Sequence, residues 1–256
     1  MSFNVRYANP GDGVNQWGGR KQLVVDTIKQ FNPDVLGLQE PLPAQMTDLQ
    51  NALPDYTLVG CGRDDGQKAG EFTAMLVRSN RFDIVEQGKF WFSDTPDEAG
   101  SIGWGATLPR LCVWARLADR QSENRSFVAY NTHFDHRSRE SRSKAAAAIA
   151  SHLATHHQQL PCVVMGDFNT SLANGALQKL VDGQVKLAET FKAEPGQPVG
   201  TFNGFRGEAT GEKIDYVLAT SHWSVVESAI DRTSREGRYP SDHFPVTAVL
   251  QLEVDR

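Results

Sequence analysis

A chain of 256 residues with a formal charge of −5 offers long polyanions little attraction, so loose binding along nucleic acid is disfavoured, while a small phosphorylated molecule held by a few local cations is not. Hydrophobic residues at 39% are enough for a buried core, and no apolar run reaches the length of a membrane span. Three scattered cysteines, Cys61, Cys112 and Cys162, make no disulfide framework.

In chain order, Phe3, Val5 and Tyr7 alternate with Asn4 and Arg6, a strand pattern with Asn4 on the less apolar face. The chain begins abruptly on this strand, so an upstream segment stays open, and with it the compartment, cytoplasmic or exported. A Gly- and Asn-rich loop over 9–19 leads to a helical stripe over 20–31, stopped before Pro33. Val35–Leu38 reads as a buried strand delivering Gln39-Glu40, and 45–53 as a short helix. Strands are expected over 56–61, 71–77 and 81–92, with Asn80-Arg81 turning a hairpin. A long loop over 93–109 follows, then strands over 110–117 and 126–131. Residues 138–157 give the strongest helix, Ala-rich with Ile149 and Leu153 on one face. A strand over 162–165, a short helix near 175–181 and strands over 214–219, 223–230 and 244–252 complete the chain. With few helices and strands in adjacent pairs, two packed sheets with helices outside fit better than a doubly wound sheet.

Polar residues fall at the strand ends. Cys162–Met165 is a buried run that stops at Gly166 and is followed by Asp167 and Asn169, two apart and so facing the same side in extended backbone. Gly, Asp and Asn are also ordinary turn residues. Yet Asn4, Gln39-Glu40, Glu71, Asn131-Thr132-His133, Asp215 and Asp242-His243 sit at comparable places in other strands, and carboxylates are rarely buried unless paired. Carboxylates with carboxamides and no cysteine cluster make an oxygen-rich site suited to Mg²⁺ or Mn²⁺ rather than zinc. Histidines oriented by carboxylates add proton transfer and charge stabilisation, a combination suited to hydrolysing a phosphate ester.

Other motifs are weaker. The Gly60–Gly66 stretch misses the dinucleotide fingerprint by one spacing, Lys68 completes no P-loop, and there is no Gly-x-Ser-x-Gly elbow. His152, His156 and His157 have the spacing of a metal pair but, at a helix C-terminus, better answer the dipole. Arg137, Arg139, Arg142 and Lys144 open the same helix, either solvated or with one reaching substrate phosphate.

Six motifs in order, Ser2-Phe3-Asn4-Val5-Arg6, Leu38-Gln39-Glu40, Asn131-Thr132-His133-Phe134, Gly166-Asp167-Phe168-Asn169, Ile214-Asp215-Tyr216 and Ser241-Asp242-His243-Phe244-Pro245-Val246, closely resemble the endonuclease/exonuclease/phosphatase superfamily, deoxyribonuclease I-like. The segment from Phe90 to Pro96 and Gly103-Trp104 further resemble a compact bacterial branch of it. The resemblance implies an α/β fold over residues 1–256 as one domain: a four-layer sandwich of two packed, mostly antiparallel sheets flanked by helices. It implies Glu40 as main metal ligand with Asn4 and Asp242 beside it, Asp167 orienting or deprotonating water, and Asn169 and Arg110 binding the scissile phosphate. It also implies two histidine–carboxylate pairs, His243 with Asp215 and His133 with Glu71. The implied cofactor is Mg²⁺ or Mn²⁺.

Three functions follow: a metal-dependent phosphoesterase on a small, medium or nucleotide-like phosphorylated substrate; a nuclease, disfavoured by the acidic balance; and a non-catalytic binding protein, against which the intact constellation argues. Trp17 and Trp104 are expected either to shape the substrate entrance from their loops or to pin those loops to the core. The sequence leaves oligomeric state open.

Overall fold

The structure is a computed structural model that describes residues 1–253. In chain order its strands are β1 (Ser2–Asn4), β2 (Val35–Gln39), β3 (Tyr56–Gly62), β4 (Phe72–Arg78), β5 (Phe82–Trp91), β6 (Leu111–Asp119), β7 (Arg125–His133), β8 (Cys162–Asp167), β9 (Ala188–Glu189), β10 (Asp215–Ala219), β11 (Trp223–Ile230) and β12 (Val246–Leu252). Its α-helices are α1 (Trp17–Phe31), α2 (Pro43–Ala52), α3 (Arg139–His156) and α4 (Gln178–Val181). One sheet has the order β11-β12-β1-β2-β4-β3, the other β5-β6-β7-β8-β10-β9. Among the described residues, only β1–β2 and β7–β8 run parallel, each pair joined through a helix, α1 or α3; the remaining ladders are antiparallel. The four-layer sandwich of the deoxyribonuclease I-like fold is thereby present.

Each layer follows from where the apolar residues fall. Val24, Val25 and Ile28 of α1 and Met46 and Leu49 of α2 bury against Phe3, Leu36, Leu38 and Leu76 on the outer face of the first sheet. Asn32, in the left-handed conformation at φ 55°, ends α1 ahead of Pro33. Ser138 caps α3 by accepting from the Ser141 N–H at 3.1 Å, and Ala145, Ala146, Ile149 and Leu153 lay that helix on the second sheet. Between the sheets, Val59, Met75 and Val77 meet Val113, Ala115, Val163, Met165 and Val217.

Buried amides stitch the sheets together. Asn131 of β7 donates to the backbone carbonyls of Leu38 and Ala74 in the other sheet, at 2.9 and 2.8 Å, and accepts from Gln39 Nε2 at 2.6 Å. Gly37 makes this possible. A Cβ there would lie 2.6 Å from Asn131 Oδ1 and 2.7 Å from the Met165 side chain, well inside contact distance.

Three expected elements differ. Helix α1 begins at Trp17, inside the expected 9–19 loop, and Pro10–Asn15 of that loop form a 3-10 helix. The first strand ends at Asn4 rather than Tyr7, because Arg6 turns the chain at φ 54°. Asn80-Arg81 makes no hairpin: β4 belongs to the first sheet and β5 to the second, so the chain crosses between them. Arg81 fixes the crossing with a guanidinium bound to both Asp34 and Asp119. Among the described residues, no helix is long and apolar enough to cross a membrane.

Candidate active site

The topology gathers the strand-end residues at one end of the sandwich. β1, β2, β7 and β8 run toward that end and finish there, delivering Asn4, Glu40, His133 and Asp167. β4, β6, β10 and β12 run antiparallel to them and begin there, so Glu71, Arg110, Asp215 and Asp242-His243 arrive from the other direction. Arg6, Glu40 and Asn169, each just past a strand end, have φ of 54°, 73° and 50°, an uncommon region for such residues that recurs where side chains are aimed at a site. The result is a cavity of about 730 Å³ whose lining includes Glu40, Glu71, His133, Asp167, Asn169, Asp242 and His243.

Asp167 stands at its centre, 1% exposed. Its Oδ2 accepts from Asn4 Nδ2 at 3.0 Å and its Oδ1 from the Asn169 N–H at 2.9 Å. His133 Nε2 and His243 Nε2 lie 3.5 and 3.9 Å from Oδ2. Burial and the neighbouring Asp215 push the Asp167 carboxyl up to about 7, against the pull of His243. Asp215 Oδ2 is bonded to His243 Nδ1 at 2.9 Å. Burial alone would discharge His243, but Asp215 and Asp167 outweigh it and hold the imidazole well above its ordinary range. The Asp215–His243 pairing expected from sequence is therefore present.

The other expected pairing is absent. Glu71 Oε2 accepts from Arg63 Nη1 at 2.5 Å, and among the described residues no hydrogen bond joins it to His133. Arg63, fixed just past β3, reaches Glu71 across the β3–β4 ladder. Without a carboxylate of its own, His133 is discharged by burial and by the nearby Arg110 and Arg63 guanidinium groups, well below its ordinary range. Of the two histidines, His243 alone is thus raised, and His133 is lowered.

Asn4 Nδ2 also donates to Glu40 Oε1 at 3.0 Å, while Asn4 Oδ1 accepts from the Arg6 N–H at 3.0 Å. Expected as a metal ligand, Asn4 here presents its amide nitrogen to the carboxylates and orients them. Glu40 Oε2 accepts from the Tyr7 N–H at 3.1 Å, and Asp242 lies 3.6 Å from Arg6 Nε. Burial pushes Asp242 up against the pull of His243, with Glu40 adding to the rise; burial and Glu40 do the same for Glu71. So many buried carboxylates, with one another's charge to bear, form an oxygen-donor set that a divalent cation would relieve. Glu40 Oε, His133 N and Asp167 Oδ atoms come within 4.8 Å of one another.

Arg110 is buried, with Nε and Nη1 unpartnered and Nη2 3.3 Å from His136 Nδ1. Asn169 Nδ2 donates to the Phe134 carbonyl at 3.0 Å, which fixes the amide at the cavity wall. Sequence reasoning missed Arg6, Arg63, His136 and Phe202. Arg63 sat in the glycine-rich stretch set aside as a failed nucleotide motif, and Arg6 was legible only as a neighbour of Asn4. Trp17 does not reach the site: as the first residue of α1 it turns into the core, its indole N–H on Asp48 at 2.7 Å. Trp104 bonds Asp94 at 2.9 Å, and its carbonyl accepts from Ser138; of the 93–109 loop only Leu108 lines the cavity. His152 and His157 share the Tyr130 hydroxyl at 2.8 and 2.7 Å and form part of the packing under α3.

A second cavity of about 640 Å³ opens between the sheets at the opposite end, lined by Val163, Met165, Val217 and Leu250. Its Arg81, Asp34 and Asp119 are paired with one another, and it holds none of the strand-end carboxylates described above.

Residues 1–243 match the model of the Endonuclease/Exonuclease/phosphatase family. A solved endonuclease/exonuclease/phosphatase from Bacteroides vulgatus is 35% identical and superposes with a TM-score of 0.92 over 98% of this chain and 97% of its own. A mannosyl-6-phosphatase from Bacteroides thetaiotaomicron is 32% identical, with a TM-score of 0.88 over 98% of each chain. The 3'-5'-exoribonuclease subunit Ccr4 of Mycosarcoma maydis is 22% identical over 90% of this chain and 44% of its own length. The chain spans about half the length, or less, of several curated relatives it matches.

Proposed function

Because this chain belongs to the endonuclease/exonuclease/phosphatase family, whose members hydrolyse phosphoesters, we propose that it is a Mg²⁺- or Mn²⁺-dependent hydrolase of a small or medium phosphorylated molecule. The observation that carries this reading is the convergence on Asp167 of Asn4, Asn169, His133 and the Asp215–His243 pair. Glu40 and Asp242 would hold the cation, with Asn4 orienting Glu40. When bound, such an ion polarises a phosphoryl oxygen as a Lewis acid.

The chain's own groups supply the remainder. Asp167, with its carboxyl near 7, is poised to take a proton from the attacking water close to neutral pH. Charged His243 faces it and stabilises negative charge as it grows on the phosphoryl oxygens. His133 is held neutral and acts as a hydrogen-bond donor without adding charge. Asn169 and the buried Arg110 donate to the same oxygens.

The mannosyl-6-phosphatase relative supports a phosphorylated carbohydrate over a polynucleotide, as do the net charge of −5 and the presence of Glu212 in the cavity lining. Steady-state hydrolysis of hexose phosphates, nucleoside monophosphates and oligonucleotides with Mg²⁺ tests the reading. The expected order has a small phosphate ester first; an oligonucleotide cleaved far faster than any small ester would make the chain a nuclease instead.

A further inference from the structure

The large hydrophobic side chains left exposed among the described residues are Val14, Val85, Ile102, Val225, Val226, Val249 and one aromatic, Phe202, at 50%. Phe202 alone of these lines the catalytic cavity. Its ring centroid lies 5.2 Å from that of His243, edge to face at 73°. The ring is held by its backbone. Phe202 forms a β-bridge with His243, the Phe244 N–H bonds the Thr201 carbonyl at 2.7 Å, and the Asn203 N–H bonds the Asp242 carbonyl at 2.7 Å. An apolar ring kept half in water at this cost, and set beside the His243 imidazole by these backbone bonds, is preorganised to meet something that enters with the phosphate.

What shares this wall narrows the class. Glu212 lines the cavity beside Gly211 and Ile214; its Oε1 accepts from Ser171 at 2.9 Å, and a carboxylate has lone pairs left for further hydroxyl donors. A Cβ placed on Gly211 would meet nothing within 4 Å, so the wall there is open. Thr201 Oγ1 accepts from the Ile214 N–H at 3.0 Å, which brings the segments of Phe202 and Glu212 together, and Leu108, His136 and Arg137 line the same cavity. A carboxylate next to an aromatic face suits a ring that is apolar on its C–H face and rich in hydroxyl donors at its edge, and it repels a second phosphate.

We propose that Phe202 and Glu212 form a subsite for the sugar ring of a phosphorylated carbohydrate, Phe202 stacking on the ring's C–H face and Glu212 accepting from its hydroxyls. This rests on the hydrolase reading above and assigns the part of the substrate that leaves with the alcohol oxygen.

The test compares a hexose 6-phosphate with glycerol 2-phosphate, which has no ring, on the Mg²⁺-loaded full chain. Wild type is expected to favour the hexose ester in kcat/KM. Phe202→Ala should shrink that preference about tenfold, the worth of an aromatic contact, chiefly through KM, and Phe202→Trp should restore it. Glu212→Gln should raise KM for the hexose ester several-fold. In the Asp167→Asn background, calorimetric binding of the hexose ester should weaken about tenfold on adding Phe202→Ala. Equal losses on both esters through kcat would overturn the subsite and leave Phe202 as a prop for His243, as would a wild-type preference for nucleoside monophosphates. If no phosphoester turns over, the hydrolase reading fails; Phe202-dependent binding of the hexose ester would still support the subsite, and binding indifferent to Phe202 would end it.

Discussion

His243 carries charge in a place where burial should strip it away, and Asp215, 2.9 Å from Nδ1, is the reason. Asp215→Asn removes that countercharge, so the imidazole loses its proton at lower pH and the alkaline limb of the pH–rate profile moves down. The cation requirement should stay as it is; NMR titration of His243 and the pH profile of kcat check both parts. His133 shows how far sequence reaches at this scale. That it belongs at the site was legible from its strand-end position, but its partner was not: Arg63 takes the Glu71 carboxylate, and side-chain reach across a ladder leaves no pattern in the chain. Trp17 fails for a related reason, since an aromatic at a loop's end reads the same whether it turns outward or, as here, into the core.

Among the elements, the parallel pairs β1–β2 and β7–β8 carry the site, and the close approach of the two sheets sets it. Gly37→Ala drives a methyl into Asn131 and Met165 and should cost about 1–3 kcal/mol, as overpacking does. A urea midpoint unchanged from wild type would mean the sheets have slack there. Helix α3 answers to pH. His152, packed against Phe90 and bonded to Tyr130, is held down to about 4 by burial. The unfolded chain therefore binds its proton first, so this contribution is whole above about 6.5 and is lost as pH falls toward 4. His152→Gln should flatten that part of the stability curve, read by denaturant melts at pH 7 and 5. The strands and α3 were legible from alternation and from Ser138 with its alanine run. The β4–β5 crossing was not, because Asn80-Arg81 suits a tight hairpin as well as a step between sheets, and only Arg81's two carboxylate partners decide it.

Across the whole molecule, the fold concentrates carboxylates at one end of an otherwise ordinary sandwich, and that end pushes Asp167, Glu71 and Asp242 upward. The unfolded chain gives up the Asp167 proton near 4 and the native one near 7, so stability falls as pH rises through that interval. A divalent cation bound only by the native state offsets this. Millimolar Mg²⁺ or Mn²⁺ should raise Tm at pH 7.5, and Glu40→Gln should abolish most of that rise; a rise untouched by the substitution would place the cation elsewhere. The four layers were legible because paired strands with few helices leave little choice of architecture, and the meeting of the polar strand ends followed from it.

The most direct measurement is hydrolysis of a small phosphate ester by the intact chain and by Asp167→Asn, each with Mg²⁺ and with excess chelator. Turnover should appear only with the cation and fall at least about 100-fold in the variant, whose circular dichroism and Tm show it still folded. Undiminished turnover in chelator, or a wild-type rate in Asp167→Asn with Mg²⁺ present, would contradict a metal-dependent site centred on this carboxylate.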